Sequence, residues 1–168
     1  RQWANHIDPV MRQEHLAGEK LFVDYAGQTM QVYDLQANQM REAQIFVAVL
    51  GASNYTYAEA TWSQSLPDWI ASHRRAFNFF GGVAQILVPD NLKSGVSKTC
   101  LYEPDINPTY LDMANYYDTV VIPARSRKAK DKAKVEVGVQ IVERWILARL
   151  RNHQFFSLRQ LNETIAEL

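Results

Sequence analysis

The stretch Gly18-Glu-Lys-Leu-Phe-Val-Asp-Tyr-Ala-Gly27 decides how the chain is read. Lys20 to Tyr25 is dense in apolar, β-favouring residues and is closed by Ala26-Gly27, so it reads as a strand. Its one misfit is Asp24, directly after Leu21-Phe22-Val23. A carboxylate inside a buried strand is costly unless it is paired or binds a metal. Either the strand end is open to solvent at this point, as is common for aspartate, or Asp24 is kept for chemistry. Other carboxylates brought to the same point would decide it.

Outward from this strand, Thr29 to Asp34 continues the extended pattern and Gln36 to Gln39 turns the chain. Gln44-Ile-Phe-Val-Ala-Val-Leu50 is apolar throughout and reads as a strand buried on both faces. Tyr55 to Trp62 alternates like a third strand, which completes an antiparallel meander. Ser65-Leu-Pro-Asp68 carries a helix-start pattern, and Gly81-Gly82 marks the stop. Val83 to Val88, ended by Pro89, is a fourth strand reached by a right-handed parallel crossover. The chain from Ser94 to Pro104 reads as a loop, Asn107-Pro108 opens a helix to Asp118, and Thr119 to Ile122 is a fifth strand. A long helix follows from Asp131 to Asn152. Val135, Val139, Val142, Ile146 and Leu150 form its apolar stripe, widened by Ile141 and Trp145. A last helix starts near Ser157. The order βββαβαβα predicts an α/β fold. Its mixed five-stranded sheet joins a three-strand antiparallel meander to two parallel strands, with helices on both faces.

The chain has 168 residues, enough for one domain with a sizeable core. Lys plus Arg, 18, equals Asp plus Glu, 18, so any case for nucleic acid rests on local clusters. The single cysteine, Cys100, excludes an internal disulfide and a zinc finger, and fits a reducing, cytoplasmic setting. No apolar run reaches membrane-spanning length, so no membrane partner is expected. The first residue is Arg1 and the last lies in a helical pattern, as expected of a fragment. Residues 1–17 read as a lead-in from an upstream region, 18–152 as the main domain and 153–168 as a helical extension.

Sites in open sheets lie beyond the carboxyl ends of parallel strands. Asp24 is late in the first strand, Asp90 directly follows the fourth, and Glu136 sits at the shoulder of the long helix's apolar arc. If the first and fourth strands are neighbours, the acids meet at one edge. Carboxylates about 4 Å apart repel by roughly 4 kcal/mol per pair at a surface-like dielectric, so they splay, protonate or bind cations. Hard oxygen donors favour Mg²⁺ or Mn²⁺, and a pair of such ions suits in-line phosphoryl transfer. Individually, Asp90 reads first as a turn or N-cap residue and Glu136 as a solvated helix glutamate. Asp34, Asp105, Asp112 and Asp118 read as turn or surface acids.

Arg125, Arg127, Lys128, Lys130, Lys132 and Lys134 make the one dense basic cluster in the sequence. Lys132 and Lys134 stand where a helix dipole disfavours cations by a few tenths of a kcal/mol each, an arrangement suited to a docked anion. A solvated charged loop is the other reading. Nucleophilic catalysis finds little support. His6, His15, His73 and His153 are scattered, with His73 read as a partly buried packing residue, and Cys100 has no base near it in sequence.

Three segments together resemble the catalytic core of the IstA-type transposases: Phe22-Val-Asp-Tyr-Ala-Gly27, Val88-Pro-Asp-Asn-Leu-Lys93 and Asp131-Lys-Ala-Lys-Val-Glu136. The resemblance covers residues 18–150 and implies the RNase H-like fold of the DDE group, shared with retroviral integrases. It implies Asp24, Asp90 and Glu136 as catalytic residues holding two Mg²⁺ or Mn²⁺ ions. It also implies DNA partners, both transposon ends and target; Lys93, Lys132 and Lys134 are the expected phosphate contacts, beside the rest of the basic cluster. A homo-multimer, an AAA+ ATPase helper, an upstream helix-turn-helix region and a downstream domain follow from it as well. Asp24 and Asp90 are 66 residues apart and Asp90 and Glu136 are 46 apart, the latter longer than in integrases. Where integrases carry a basic residue two turns after the glutamate, this chain has Glu143, with Arg144 next to it. Without the triad's chemistry, the same fold would serve as a non-catalytic assembly module, or as a structure-specific nuclease if strand transfer were lacking.

Overall fold

A computed structural model of the chain describes residues 15–90, 96–98, 105–124 and 136–168, the backbone alone at 96–98 and 105. Strands β1 (Lys20–Tyr25), β2 (Met30–Asp34), β3 (Gln39–Leu50) and β4 (Thr56–Thr61) come first, followed by helix α1 (Leu66–Phe80). Then come β5 (Ile86–Pro89), the short β6 (Val96–Lys98) and β7 (Asp105–Ile106), α2 (Pro108–Tyr116) and β8 (Val120–Val121). Helix α3 is described over residues 136–150, and α4 is Leu158–Ala166.

Among the described residues the main sheet has six strands rather than five. It runs β2-β3-β1-β5-β8, with β4 on the other side of β3. The expected meander and the two parallel strands are present; the extra strand comes from a break in the first one. Tyr25 faces Phe46 and Met30 faces Ala43, so the chain spends five steps where its partner spends three. The surplus bulges out at Gly27 to Thr29, so β1 and β2 pair along successive halves of the long β3. Where the sequence reads as a loop between Ser94 and Pro104, β6 and β7 form a small antiparallel pair spanning part of it.

The two faces of the sheet carry separate cores. Leu21, Val23 and Tyr25 of β1 pack with Phe46, Leu87 and Val121 against Trp69 and Phe77 of α1 and Tyr110 and Met113 of α2. The alternate residues Ile45, Val47 and Val49 pack on the other face against Val142, Leu147 and Leu150 of α3 and Leu161 and Ile165 of α4. Ser65 is the N-cap of α1 by position, but Asp68 accepts instead from the Ser63 N–H and hydroxyl. Gly81 ends the helix at φ 71°, a left-handed conformation that favours glycine, and the Gly82 N–H closes on Phe77 O.

Helix α3 departs from its expected stripe. It contains a π turn, Val142–Leu147, in which the Ala148 N–H reaches Glu143 O. The extra residue advances the buried positions from Val142 to Leu147 instead of Ile146. Ile141 and Trp145 therefore face solvent, 41% and 62% exposed, rather than widening the core stripe. Tyr55 and Phe79 stack on each other at the surface. His73 is fully buried, beyond the partial burial expected of it.

Helix α4 covers the free edge of β4. The Asn162 side-chain oxygen accepts from the Ala60 N–H at 2.6 Å, and its amide donates to Ala60 O at 2.9 Å. A peptide group that would otherwise invite another strand is thereby satisfied.

One buried carboxylate has a structural role the sequence did not reveal. Glu59 on β4 is 4% exposed and accepts from Arg75 Nε at 2.5 Å, Arg75 Nη2 at 2.8 Å and the Tyr57 hydroxyl at 3.0 Å. The pair holds the Arg75 guanidinium above its ordinary range, chiefly through the hydrogen bond to Glu59. Arg75→Ala leaves a buried charge without its fork partner and is expected to cost about 2 kcal/mol. Urea denaturation of Arg75→Ala against wild type measures it.

Candidate functional site

The pairing of β1 with β5 places the first two acids. The strands are parallel, with Lys20 opposite Ile86 and, in steps, Val23 opposite Pro89. The Asp90 N–H donates to Val23 O at 3.1 Å, which carries the ladder past the end of β5. One more step in this register sets Asp90 beside Asp24 on adjacent strands, whose backbones lie about 4.8 Å apart. The neighbourhood expected of the first and fourth strands is observed, and the spacing of 66 is that register.

Alternation then fixes the face. Phe22 and Val88, two residues before each acid, belong to one small cluster with Ala124, and Val139 of α3 packs on it. Asp24 and Asp90 therefore lie on the α3 face, at the carboxyl ends of two parallel strands. The Ala124 N–H donates to Pro89 O at 3.0 Å, so the chain beyond β8 runs alongside the same edge. Residue 125, first of the basic cluster, is the next in sequence.

Glu136 lies three residues before Val139, on the same side of the helix and one turn nearer its N-terminal end. It is exposed, whereas Asp24 and Asp90 are half-buried. The Tyr25 N–H donates to Asp24 Oδ1 at 2.8 Å. Among the described residues no group of three or more His, Cys, Asp and Glu side chains stands close enough to hold a metal ion. The sheet thus brings two carboxylates side by side, and α3 brings the third to the same face without closing a cage. Two adjacent hard oxygen donors suit a Mg²⁺-class cation in chemistry.

Of the competing acids, Asp34, Asp112 and Asp118 are turn or surface residues. Asp34 accepts from the Gln36 and Ala37 N–H groups and pairs with Arg41, whose hydrogen bond holds its carboxyl below the usual range. Asp112 is exposed on α2, and Asp118 sits in a turn at φ 53°. The side chain of Asp105 lies outside the described residues. So do Lys93, Arg125, Arg127, Lys128, Lys130, Lys132 and Lys134. Arg144 is exposed beside the half-buried Glu143, within the π turn.

Sequence reading missed Gly138, buried on α3 two residues after Glu136. An isolated glycine inside a helical pattern was the available signal.

The chain resembles known proteins along its whole length. It is 56% identical over 168 residues to a putative transposase, y4uI, of Sinorhizobium fredii, covering all of this chain and 33% of that protein. It is 54% identical to a putative transposase for insertion sequence IS408 of Burkholderia multivorans, covering 32% of it. The transposase of insertion sequence element IS21 of Pseudomonas aeruginosa is 29% identical over 134 residues, 79% of this chain. The chain spans about a third of the length of these relatives. No protein-family model matches it. Among solved structures, the HTLV-2 integrase catalytic core in complex with magnesium superposes with a TM-score of 0.63 at 12% identity, over 93% of this chain and 89% of that one. A simian T-cell lymphotropic virus intasome chain gives a TM-score of 0.65 over 92% of this chain and 49% of that one. The chain is therefore a relative of the insertion-sequence transposases, that of IS21 among them, built on the RNase H-like fold of the retroviral integrase catalytic cores.

Proposed function

We propose that the chain is the catalytic core of a DNA transposase that cuts the 3′ ends of an insertion sequence and joins them to target DNA. The observation that carries this reading is the register that sets Asp90 beside Asp24 on the face covered by α3, with Glu136 one turn from the contact. In this reading residues 18–152 hold the catalytic machinery, and 153–168 extend it.

Asp24, Asp90 and Glu136 would hold two Mg²⁺ or Mn²⁺ ions. When bound, such ions lower the pKa of an attacking water or 3′-hydroxyl and offset charge on the scissile phosphate. Asp24 and Asp90, fixed on adjacent strands, supply a rigid pair of anionic donors. Glu136, carried on a separate element, supplies the third. The basic cluster that follows Ala124 would hold the DNA backbone, with Lys93, Lys132 and Lys134 on phosphates. Transposon-end and target DNA, further copies of this chain and an AAA+ ATPase helper are the proposed partners, acting in the bacterial cytoplasm at the nucleoid.

The test uses the full-length protein and duplexes carrying the element's ends. Glu136→Gln is expected to lose both end cleavage and the joining of pre-cut ends, read on denaturing gels. Wild-type rates in that variant would remove Glu136 from the reaction. A wild-type protein that nicks ends yet never joins pre-cut ones would be a structure-specific nuclease instead.

A further inference from the structure

We infer that Gly138 is a positioning residue for Glu136: its missing side chain sets how closely α3 rests on the sheet. This inference rests on the proposed role of Glu136. A Cβ built at Gly138 would stand 2.2 Å from Val49 Cγ2, 3.3 Å from Val49 Cβ and 3.5 Å from Val49 Cγ1. The first distance is far inside contact. Val49 is fully buried, stiff at χ1 and pinned on β3 opposite Phe22, so it has little room to yield. The helix must move instead.

The contact lies where such movement matters. Phe22, opposite Val49, belongs to the cluster that Val139 covers, and Phe22 is two residues before Asp24. Gly138 thus seats α3 on β3, and Val139 seats it on the cluster of β1 and β5, the two strands that lead to the aspartates. Glu136 is two residues from Gly138. A helix lifted there carries Glu136 away from the aspartate pair, while the β1–β5 register, held by its own ladder, stays. Glycine is otherwise a poor choice inside a helix, and alanine there would favour the helix by propensity alone. An impaired Gly138→Ala variant would therefore report the contact rather than a weakened helix.

The experiment compares the full-length protein with Gly138→Ala, Val49→Ala and the double variant. It reads the rate of joining pre-cut ends at saturating DNA and the Mg²⁺ concentration giving half the maximal rate. Gly138→Ala is expected to lose about tenfold or more in rate, since misplacement by 1 Å can cost 10²-fold. It should also need several-fold more Mg²⁺. Val49→Ala opens the space, so the double variant should recover to within about threefold of Val49→Ala alone. Two results would overturn the inference: Gly138→Ala with wild-type rate and Mg²⁺ requirement, or a loss in Gly138→Ala that Val49→Ala does not relieve. If Glu136→Gln is inactive and Gly138→Ala is not, this inference alone fails. An active Glu136→Gln removes the reading beneath it.

Discussion

Replacing Asp24 by Asn is expected to slow both end cleavage and strand transfer by about a thousandfold while leaving the fold intact. A cation and a carboxylate about 4 Å apart attract by roughly 4 kcal/mol at a surface-like dielectric, and each 1.36 kcal/mol is a factor of ten in rate. Asparagine keeps the shape and the oxygen but removes the charge. Asp90→Asn should give a loss of the same order, because the β1–β5 register makes the two positions equivalent donors. The accompanying signs separate this from simple damage. Without divalent ions either variant should melt at or above the wild-type temperature, since one of two adjacent like charges is gone. With Mg²⁺ at tenfold over its Kd, wild type should gain about 1.4 kcal/mol, or about 3–5 °C in Tm, and the variants little. Differential scanning fluorimetry with and without Mg²⁺, beside a gel assay of joining, decides it. Wild-type joining by Asp24→Asn would remove that residue from the site.

Asp24 and Asp90 were legible because local and global signals agree there. Each follows an apolar, β-favouring run, and the helix before the second run predicts a parallel crossover; that the two strands are neighbours stood as a condition, which the β1–β5 pairing meets. The register and the shared face then come from strand geometry alone. Elsewhere the deciding partner lies across the fold and leaves no mark in the local pattern. The bulge after Tyr25 depends on how β1 and β2 share β3. The π turn in α3 brings Leu147 rather than Ile146 onto that sheet, which a uniform helical wheel cannot foresee. Glu59 looked like any polar residue in an alternating strand, because its partner Arg75 sits on the next helix. Gly138 was missed, because a glycine inside a helical pattern has no meaning until Val49 is set against it. The basic cluster remains an argument from sequence, tied to the site by Ala124 beside Pro89 at the same edge.

Lowering the pH from 6.5 to 4 is expected to remove about 3 kcal/mol of stability through one buried side chain, His73. Burial, partly opposed by its bond to Trp69 O, pulls its pKa down from 6.5 to about 4. The ring lies between α1 and α2, with Nδ1 2.8 Å from Trp69 O and Nε2 3.1 Å from the Tyr110 hydroxyl. A carbonyl only accepts, so Nδ1 carries the proton and Nε2 accepts from Tyr110. Protonating Nε2 would force the Tyr110 hydroxyl to turn from donor to acceptor and would leave a charge in a site walled by Phe46, Trp69 and Phe77. In the unfolded chain His73 takes its proton near pH 6.5. Between 6.5 and about 4 the unfolded state therefore binds a proton that the folded state refuses. Stability is full above the unfolded pKa, falls by up to about 1.4 kcal/mol per unit below it, and levels off near the folded value. His73→Gln removes the titration but keeps an amide that can donate and accept. It should be less stable than wild type at pH 7.5, yet lose about 3 kcal/mol less across the window. Urea denaturation of both proteins at half-unit steps cancels the carboxylates they share. Parallel curves from pH 7 to 4 would mean that His73 is protonated in the folded core.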